Sequence, residues 1–385
     1  MSGFVFTTTR QLISEPGSVS QLGELCLQLG MQTPVIITDP GIVKVGLLEQ
    51  AERALKSSNL PVLAYADVQA DPPESVVLAA VQYAIDQGAD GIIGYGGGSA
   101  MDTAKLVALL ACSGEQLSDI YGVDQVRGQR LPLIQVPTTA GTGSEVTPIA
   151  IVTTGASTKM GVVSGRLQPD VALLDAELTL GLPAGVTAST GVDAMVHAIE
   201  AYTSRHKKNP YSDMLAHQAL RLLSTNIRQA VAEPGDLSAR QNMLLGAMMA
   251  GQAFANAPVA AVHALAYPLG GQFHISHGLS NSLVLPEVMR FNISQTTELY
   301  AELAPSIMGN NVPFGSDTEL ASALIEYIAA MIAELGLPTR LRDVDIPESA
   351  LNGLAEDAMG QQRLLINNPR DVEFEDALAI YKAAY

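Results

Sequence analysis

Cysteine is almost missing from this chain. Cys26 and Cys112 are the only two in 385 residues, and neither has a CxxC partner. Two thiols in helix-like segments do not make a disulfide framework, and a reducing, cytoplasmic compartment is the expectation. Positive charge is scarce as well. Lys and Arg number 21 against 39 Asp and Glu, for a formal charge of −18. That balance argues against nucleic acid, which calls for a basic face, and against anionic membrane surfaces. The opening MSGFVFTTTRQL has no charged segment leading into an apolar one, so no secretory signal is expected. Between Leu244 and Phe273 charge is absent altogether. Thirty uncharged residues could span a bilayer. This stretch, however, holds Gln252, Asn256, Pro258, His263, Pro268 and several glycines, with small residues in the majority. It reads as two tightly packed buried helices and not as a membrane span.

Histidine is rare too, which makes its placement informative. Three of the six join one aspartate: Asp193, His197, His263 and His277. Asp193 and His197 stand four apart in GVDAMVHAIEAY (191–202), so on a helix they share a face. His263 and His277 come from AVHALAYPLGGQFHISHG (261–278). One carboxylate and three imidazoles suit a divalent first-row metal with room left for water or substrate. Any one of the four alone would read as a hydrogen-bonded core residue; the set favours a metal.

With 48% hydrophobic and 16% charged residues, the chain can bury two cores. Up to about residue 180, short β-branched runs alternate with helical patterns. Strands are expected at 34–39, 61–68, 91–99, 131–137 and 171–175, and helices at 74–88 and 99–112. That alternation implies a mostly parallel sheet with helices on both faces. After LTLGLPAG (178–185) strand-like runs nearly vanish. Helices are expected near 186–203, 211–232, 237–255, 258–270, 294–307, 317–335 and 374–384. Breaks are expected at Pro234, Gly235, Pro258 and Pro286, and a surface covering at 336–372. The expected organisation is an α/β dinucleotide-binding domain over 1–182 and an all-helical metal and substrate domain over 183–385.

Two loops of the first half suit a cofactor. GYGGGSAMDTAK (94–105) follows a strand and opens a helix. Gly96, Gly97 and Gly98 let the backbone approach a phosphate, the helix start supplies N–H groups, and Ser99 adds a hydroxyl. The spacing is neither GxGxxG nor a P-loop, so a tight structural turn is the competing reading. PTTAGTGSEVT (137–147), which contains Thr138, Thr139, Thr142 and Thr147, is dense in hydroxyls and can line a diphosphate or ribose; it could equally be a capped turn. Asp39 ends the first βα strand, where a carboxylate can bind an adenosine ribose and repel a 2′-phosphate, favouring NAD.

Taken together, these segments resemble the iron-containing (group III) alcohol dehydrogenases over essentially the whole chain. GYGGGSAMDTAK, VPTTAGTGSEVT, PDVALLDAELTLGLPAGVTASTGVDAMVHAIEAYTS and HALAYPLGGQFHISHG carry the resemblance. It implies a dehydroquinate-synthase-like α/β domain joined to a helical metal domain, usually with Fe(II) though Zn(II) or another divalent ion is open, and NAD or NADP. It implies metal ligands at Asp193, His197, His263 and His277. The matching cofactor positions include Asp39, Gly97, Gly98, Ser99, Asp102, Thr138, Thr139, Thr147 and Lys159. The substrate implied is a small alcohol or aldehyde, and the assembly a homodimer or higher homo-oligomer, for which Phe4–Thr8 could supply an apolar strand. The chain departs from the family at Tyr267, where many members have histidine, at His274, and at Asp71-Pro72-Pro73. His274 could carry a proton in the cleft or simply cap a turn; Phe254 could wall the substrate pocket or pack helices. Competing readings are a hydroxyacid–oxoacid transhydrogenase, a glycerol dehydrogenase-like enzyme and, more remotely, a metal-dependent hydrolase.

Overall fold

The computed structural model describes residues 3–155 and 158–385. The chain divides into two units, Thr7–Gly181 and Leu182–Tyr385, the latter joined by the N-terminal residues through Phe6. Phe4 and Phe6 attach to the helical unit because both rings pack on Tyr211, at 5.8 and 5.6 Å between centroids. The segment Phe4–Thr8 lies in no strand, and Val5 is exposed.

The first unit runs β1 (Gln11–Ser14), α1 (Leu22–Gln28), β2 (Pro34–Ile37), α2 (Pro40–Lys44), α3 (Leu48–Ser57), β3 (Leu63–Tyr65) and α4 (Glu74–Asp86). Then come β4 (Gly91–Gly96), α5 (Gly98–Ser113), β5 (Gly122–Val123), β6 (Leu133–Pro137), β7 (Ile149–Thr154), β8 (Thr158–Val163) and β9 (Val171–Leu174). Six strands form one parallel sheet in the order β1-β9-β6-β4-β2-β3. Successive residues alternate between its faces. Val35, Ile37, Ile92 and Leu133 enter one core with α4 and α5. Ile36, Ile93, Tyr95, Ile134 and Val136 enter another with α1 and α3. Burial on both faces is why these strands are continuous apolar runs. A second sheet, β5-β8-β7, contains an antiparallel pair registered from Ile149↔Val163 to Thr154↔Thr158. Strand order reverses between β2 and β4, which places a ligand crevice at their carboxyl ends.

The second unit is helical: α6 (Ala184–Thr203), α7 (Pro210–Ala232), α8 (Leu237–Asn256), α9 (Ala261–Phe273), α10 (His277–Met308), α11 (Asp317–Glu334), α12 (Leu351–Met359), α13 (Gln362–Leu365) and α14 (Phe374–Ala383). Among the described residues no single helix is long and apolar enough to cross a membrane; α8 and α9 meet at a 108° bend.

Two expectations need correction. Pro286 does not break the chain: α10 runs through it and through Pro305 for 32 residues. Proline removes one helical hydrogen bond, but Leu283, Val284, Leu285, Val288 and Met289 around it are all buried, and that packing outweighs the local loss. The segment 336–372 is not merely a surface covering. Leu341, Leu354, Ala355 and Asn368 within it are buried, and Asn367 donates to the Val259 carbonyl at 3.1 Å, pinning the entry to α9.

Candidate metal centre and cofactor loops

α6 is buried along nearly its whole length, and Asp193, His197 and Glu200 fall on one of its faces at spacings of four and three. α9 begins after Ala260, which has no side-chain oxygen to cap the helix. Glu200 supplies the missing acceptor from α6. Its Oε1 takes the Val262 N–H at 2.7 Å, and its Oε2 lies 2.6 Å from His263 Nδ1. Because the carboxylate accepts from Nδ1, His263 keeps its Nε2 lone pair for another partner. His277 opens α10. A Cβ on Gly278 would sit 2.4 Å from the Ser189 carbonyl oxygen and 3.3 Å from Asp193 Cβ. Only glycine therefore lets α10 approach α6 closely enough to bring His277 to Asp193.

The result is a cluster of four. One ligand atom from each of Asp193, His197, His263 and His277 lies within 4.8 Å of all the others. His277 Nε2 is 3.5 Å from Asp193 Oδ1. Ligand atoms about 2.1 Å from a common ion stand roughly 3 to 4 Å apart, so the four side chains can hold a divalent ion after contraction. His197 is stacked between Phe254 (4.4 Å, 19°) and His263 (4.8 Å, 26°). Phe254 thus fixes a ligand ring as well as packing helices. Burial alone would raise the Asp193 carboxyl, but His277, His197, His263 and the Asn281 amide outweigh it and hold it below its usual range. A carboxylate that stays ionised at depth is what a cation requires.

His274 is not in the cluster. It is exposed and caps α9 in the left-handed conformation, φ 56°. Tyr267 is half-buried, its ring 6.0 Å from that of His277.

In the α/β unit, Asp39 and the glycine turn meet at the switch between β2 and β4. Asp39 caps α2 by accepting from Gly41 and Ile42 N–H through Oδ1, at 2.8 and 3.1 Å. Its Oδ2 would lie 3.2 Å from a Cβ on Gly96, where φ is +153°. Gly97 is the N-cap of α5 with no side-chain cap, so the first-turn N–H groups remain for an anion. Thr139 and Thr142 stand over Gly97 and Gly98: Cβ atoms there would meet Thr139 Oγ1 at 3.7 Å and Thr142 Cγ2 at 2.8 Å. Thr138 is buried and its N–H donates to the Gly96 carbonyl. Ser99 Oγ accepts from Asp71 N–H at 3.3 Å. Lys159 pairs with Asp71 at 2.6 Å and donates to Thr153.

Asp102 and Thr147 hold the loop itself. Asp102 accepts from Ser144 Oγ (2.6 Å) and Ile151 N (2.9 Å). The fully buried Lys105 donates to Ser144 Oγ (2.7 Å), Thr147 Oγ1 (3.1 Å) and the Ile149 carbonyl (2.6 Å). Burial lowers the Lys105 ammonium despite Asp102 and Glu145 nearby, and it pushes the Glu145 carboxyl up to about 7 against its own backbone N–H and Lys105. Sequence reading overlooked Lys105, Glu145 and Glu200. The last was signalled by a carboxylate three residues after His197 on an otherwise apolar helix face.

Two predictions arise here. Glu200→Gln removes one of two accepting oxygens, so His263 or Val262 loses its partner; metal affinity should fall about ten- to a hundredfold in a chelator competition. Unchanged affinity would remove Glu200 from the site. Glu145 keeps its proton when folded up to about pH 7 but loses it near 4.5 when unfolded. The folded state binds more protons across that window, so this group's contribution falls as pH rises through it. Glu145→Gln should therefore stabilise the chain relative to wild type at pH 8 and have little effect at pH 4.5. Denaturant midpoints that shift equally at both pH values would contradict this.

Comparison with known proteins follows the same division. Residues 9–176 match the family described as iron-containing alcohol dehydrogenase, and residues 187–385 match that of the Fe-containing alcohol dehydrogenase family, C-terminal. The long-chain-alcohol dehydrogenase 1 of Geobacillus thermodenitrificans is 43% identical over 372 residues, covering 96% of this chain and 93% of its own. The NAD-dependent methanol dehydrogenase of Bacillus methanolicus is 34% identical over 369 residues, 96% of each chain. A crystal structure of a 1,3-propanediol oxidoreductase superposes with a TM-score of 0.96 at 33% identity, covering both chains fully.

Proposed function

We propose, from the premise that this chain belongs to the iron-containing alcohol dehydrogenase family, that it interconverts a small alcohol and its aldehyde. The hydride carrier is NAD(H) ahead of NADP(H), and the ion is Fe(II). The observation that carries the reading is the convergence of Asp193, His197, His263 and His277 on one point of the helical unit.

When bound there, a divalent ion supplies a Lewis acid that polarises an alcohol or carbonyl oxygen. The chain's own residues do the rest. Glu200 holds His263 in the tautomer that presents Nε2. Phe254 restrains the His197 ring and offers an apolar edge to a neutral substrate. In the α/β unit the Gly96–Gly98 turn and the start of α5 receive the diphosphate, with Ser99, Thr138, Thr139 and Thr142 beside it. Asp39, whose Oδ2 takes no part in its capping bonds, binds the ribose diol, and Lys159 reaches the cofactor from β8. Positioning of the dinucleotide supplies much of the acceleration.

His274 is the assigned proton carrier of this reading. Asn tolerates the left-handed conformation, so His274→Asn preserves the turn and removes the base. Alcohol oxidation at neutral pH should fall about ten- to a hundredfold and recover at high pH. An unaltered pH–rate profile would leave the residue a turn former. A cytoplasmic homodimer or higher homo-oligomer completes the proposal, with the exposed Phe4 and Val5 as the apolar surface available to it.

The test is a steady-state screen of alcohols and aldehydes with NAD(H) and NADP(H), on protein of known metal content, alongside fluorescence titration with NADH. Turnover with added NAD(H) supports the proposal. Exchange between two substrates without added cofactor would indicate a transhydrogenase. Absence of NADH binding would overturn the dehydrogenase reading.

A further inference from the structure

Asn281 stands four residues after His277 on α10, fully buried, with its amide at the middle of the ligand cluster. Nδ2 is 2.6 Å from Asp193 Oδ1, 3.3 Å from His263 Nε2 and 3.3 Å from His277 Nε2. Three of the four ligand atoms therefore converge on one amide nitrogen. The orientation follows from these neighbours. An amide oxygen in that place would face a carboxylate and two imidazole nitrogens, whereas the two N–H groups can serve the carboxylate and one imidazole at a time. Turning the nitrogen inward leaves Oδ1 buried with no hydrogen-bond partner among the described residues. A buried orphan acceptor has a real cost. The amide is thus held by its donors, at the expense of its acceptor.

These contacts cannot all outlast the ion. A lone pair of His263 Nε2 or His277 Nε2 that points at a cation no longer accepts from Asn281. Asp193 has oxygen lone pairs to spare; the imidazoles have one each.

We propose that Asn281 is a placeholder for the metal: its amide gathers Asp193, His263 and His277 in the metal-free protein and releases the two imidazoles when a divalent ion enters. The side chain keeps the buried carboxylate paired and the ligands assembled, and it competes mildly with the ion it prepares for. This rests on the metal reading of the cluster. An ordinary ligand-orienting partner would instead act chiefly in the loaded protein, so the two roles have opposite signatures around a thermodynamic cycle.

The test compares wild type and Asn281→Leu, each stripped of metal and each reloaded with Zn(II), by thermal melting and by chelator competition for Zn(II). The expected result is asymmetric. The metal-free variant melts several degrees below metal-free wild type, the Zn-loaded variant falls by clearly less because only the Asp193 bond is then missing, and Zn(II) affinity rises by about tenfold, the scale of one net hydrogen bond. A variant that folds only with Zn(II) is the extreme of that result. If Asn281→Leu folds in neither state, Asn281→Ala supplies the same comparison. Equal loss in both states, reduced affinity, or no change in either would overturn the placeholder role. Wild type that binds no divalent ion would overturn the metal reading itself and is read from the same titration.

Discussion

Substitution of His263 or His277 by Ala should abolish stoichiometric metal binding and reduce turnover to background, while the α/β unit stays folded. Each imidazole is one of four ligand atoms within 4.8 Å of one another, and three remaining ligands leave the ion open to loss. The two variants differ in what else they disturb. His263 is buried and its Nδ1 engages Glu200, so its loss also leaves one buried carboxylate oxygen without that partner. His277 is part-exposed and opens α10, so its removal costs the fold less. His263→Ala should therefore lower the melting temperature more than His277→Ala, although both empty the site. Metal analysis and calorimetry on the pair check this. Near-normal metal content and turnover in both would sink the ligand assignment.

The second large effect is on cofactor choice. Asp39→Gly should raise the NADP(H) to NAD(H) ratio of kcat/KM by about a hundredfold. A carboxylate and a 2′-phosphate about 4 Å apart repel by roughly 4 kcal/mol at an intermediate dielectric, before relaxation. Glycine is the informative replacement because Asp39 also caps α2. Glycine is itself an acceptable cap, so the stability loss should be only a few tenths of a kcal/mol. A wild type that prefers NADP(H), or a ratio that does not move, would show that this carboxylate serves the helix alone.

Much of the layout was legible because local pattern and tertiary role agree. The strands at 34–37, 91–96, 133–137 and 171–174 are apolar because both sheet faces are buried. Asp193 and His197 could be paired from spacing because a helix fixes which residues share a face. What escaped was set by partners distant in sequence. The β7–β8 pair escaped although its β-branched residues favour strands, because its half-exposed arms lack the continuous apolar run of the main sheet. Pro286 carries a breaker's signal that buried neighbours override. Glu200 is marked only as a charge on an apolar helix, and Asn281 looks like an ordinary helix residue. Their roles appear only when α6, α9 and α10 bring a capless helix start to one and three ligand atoms to the other. For His274 the sequence offered a proton carrier or a turn former; its backbone is that of a turn, and the imidazole's role rests on the His274→Asn comparison.

The ion and the reaction should share one site. Protein stripped of metal under anaerobic conditions should be titrated with Fe(II) while NADH oxidation by an aldehyde is followed. Activity should be absent at the start, rise in proportion to added Fe(II), and level off at one equivalent per chain. Full turnover in the stripped protein, or saturation with Fe(II) that restores none, would contradict it.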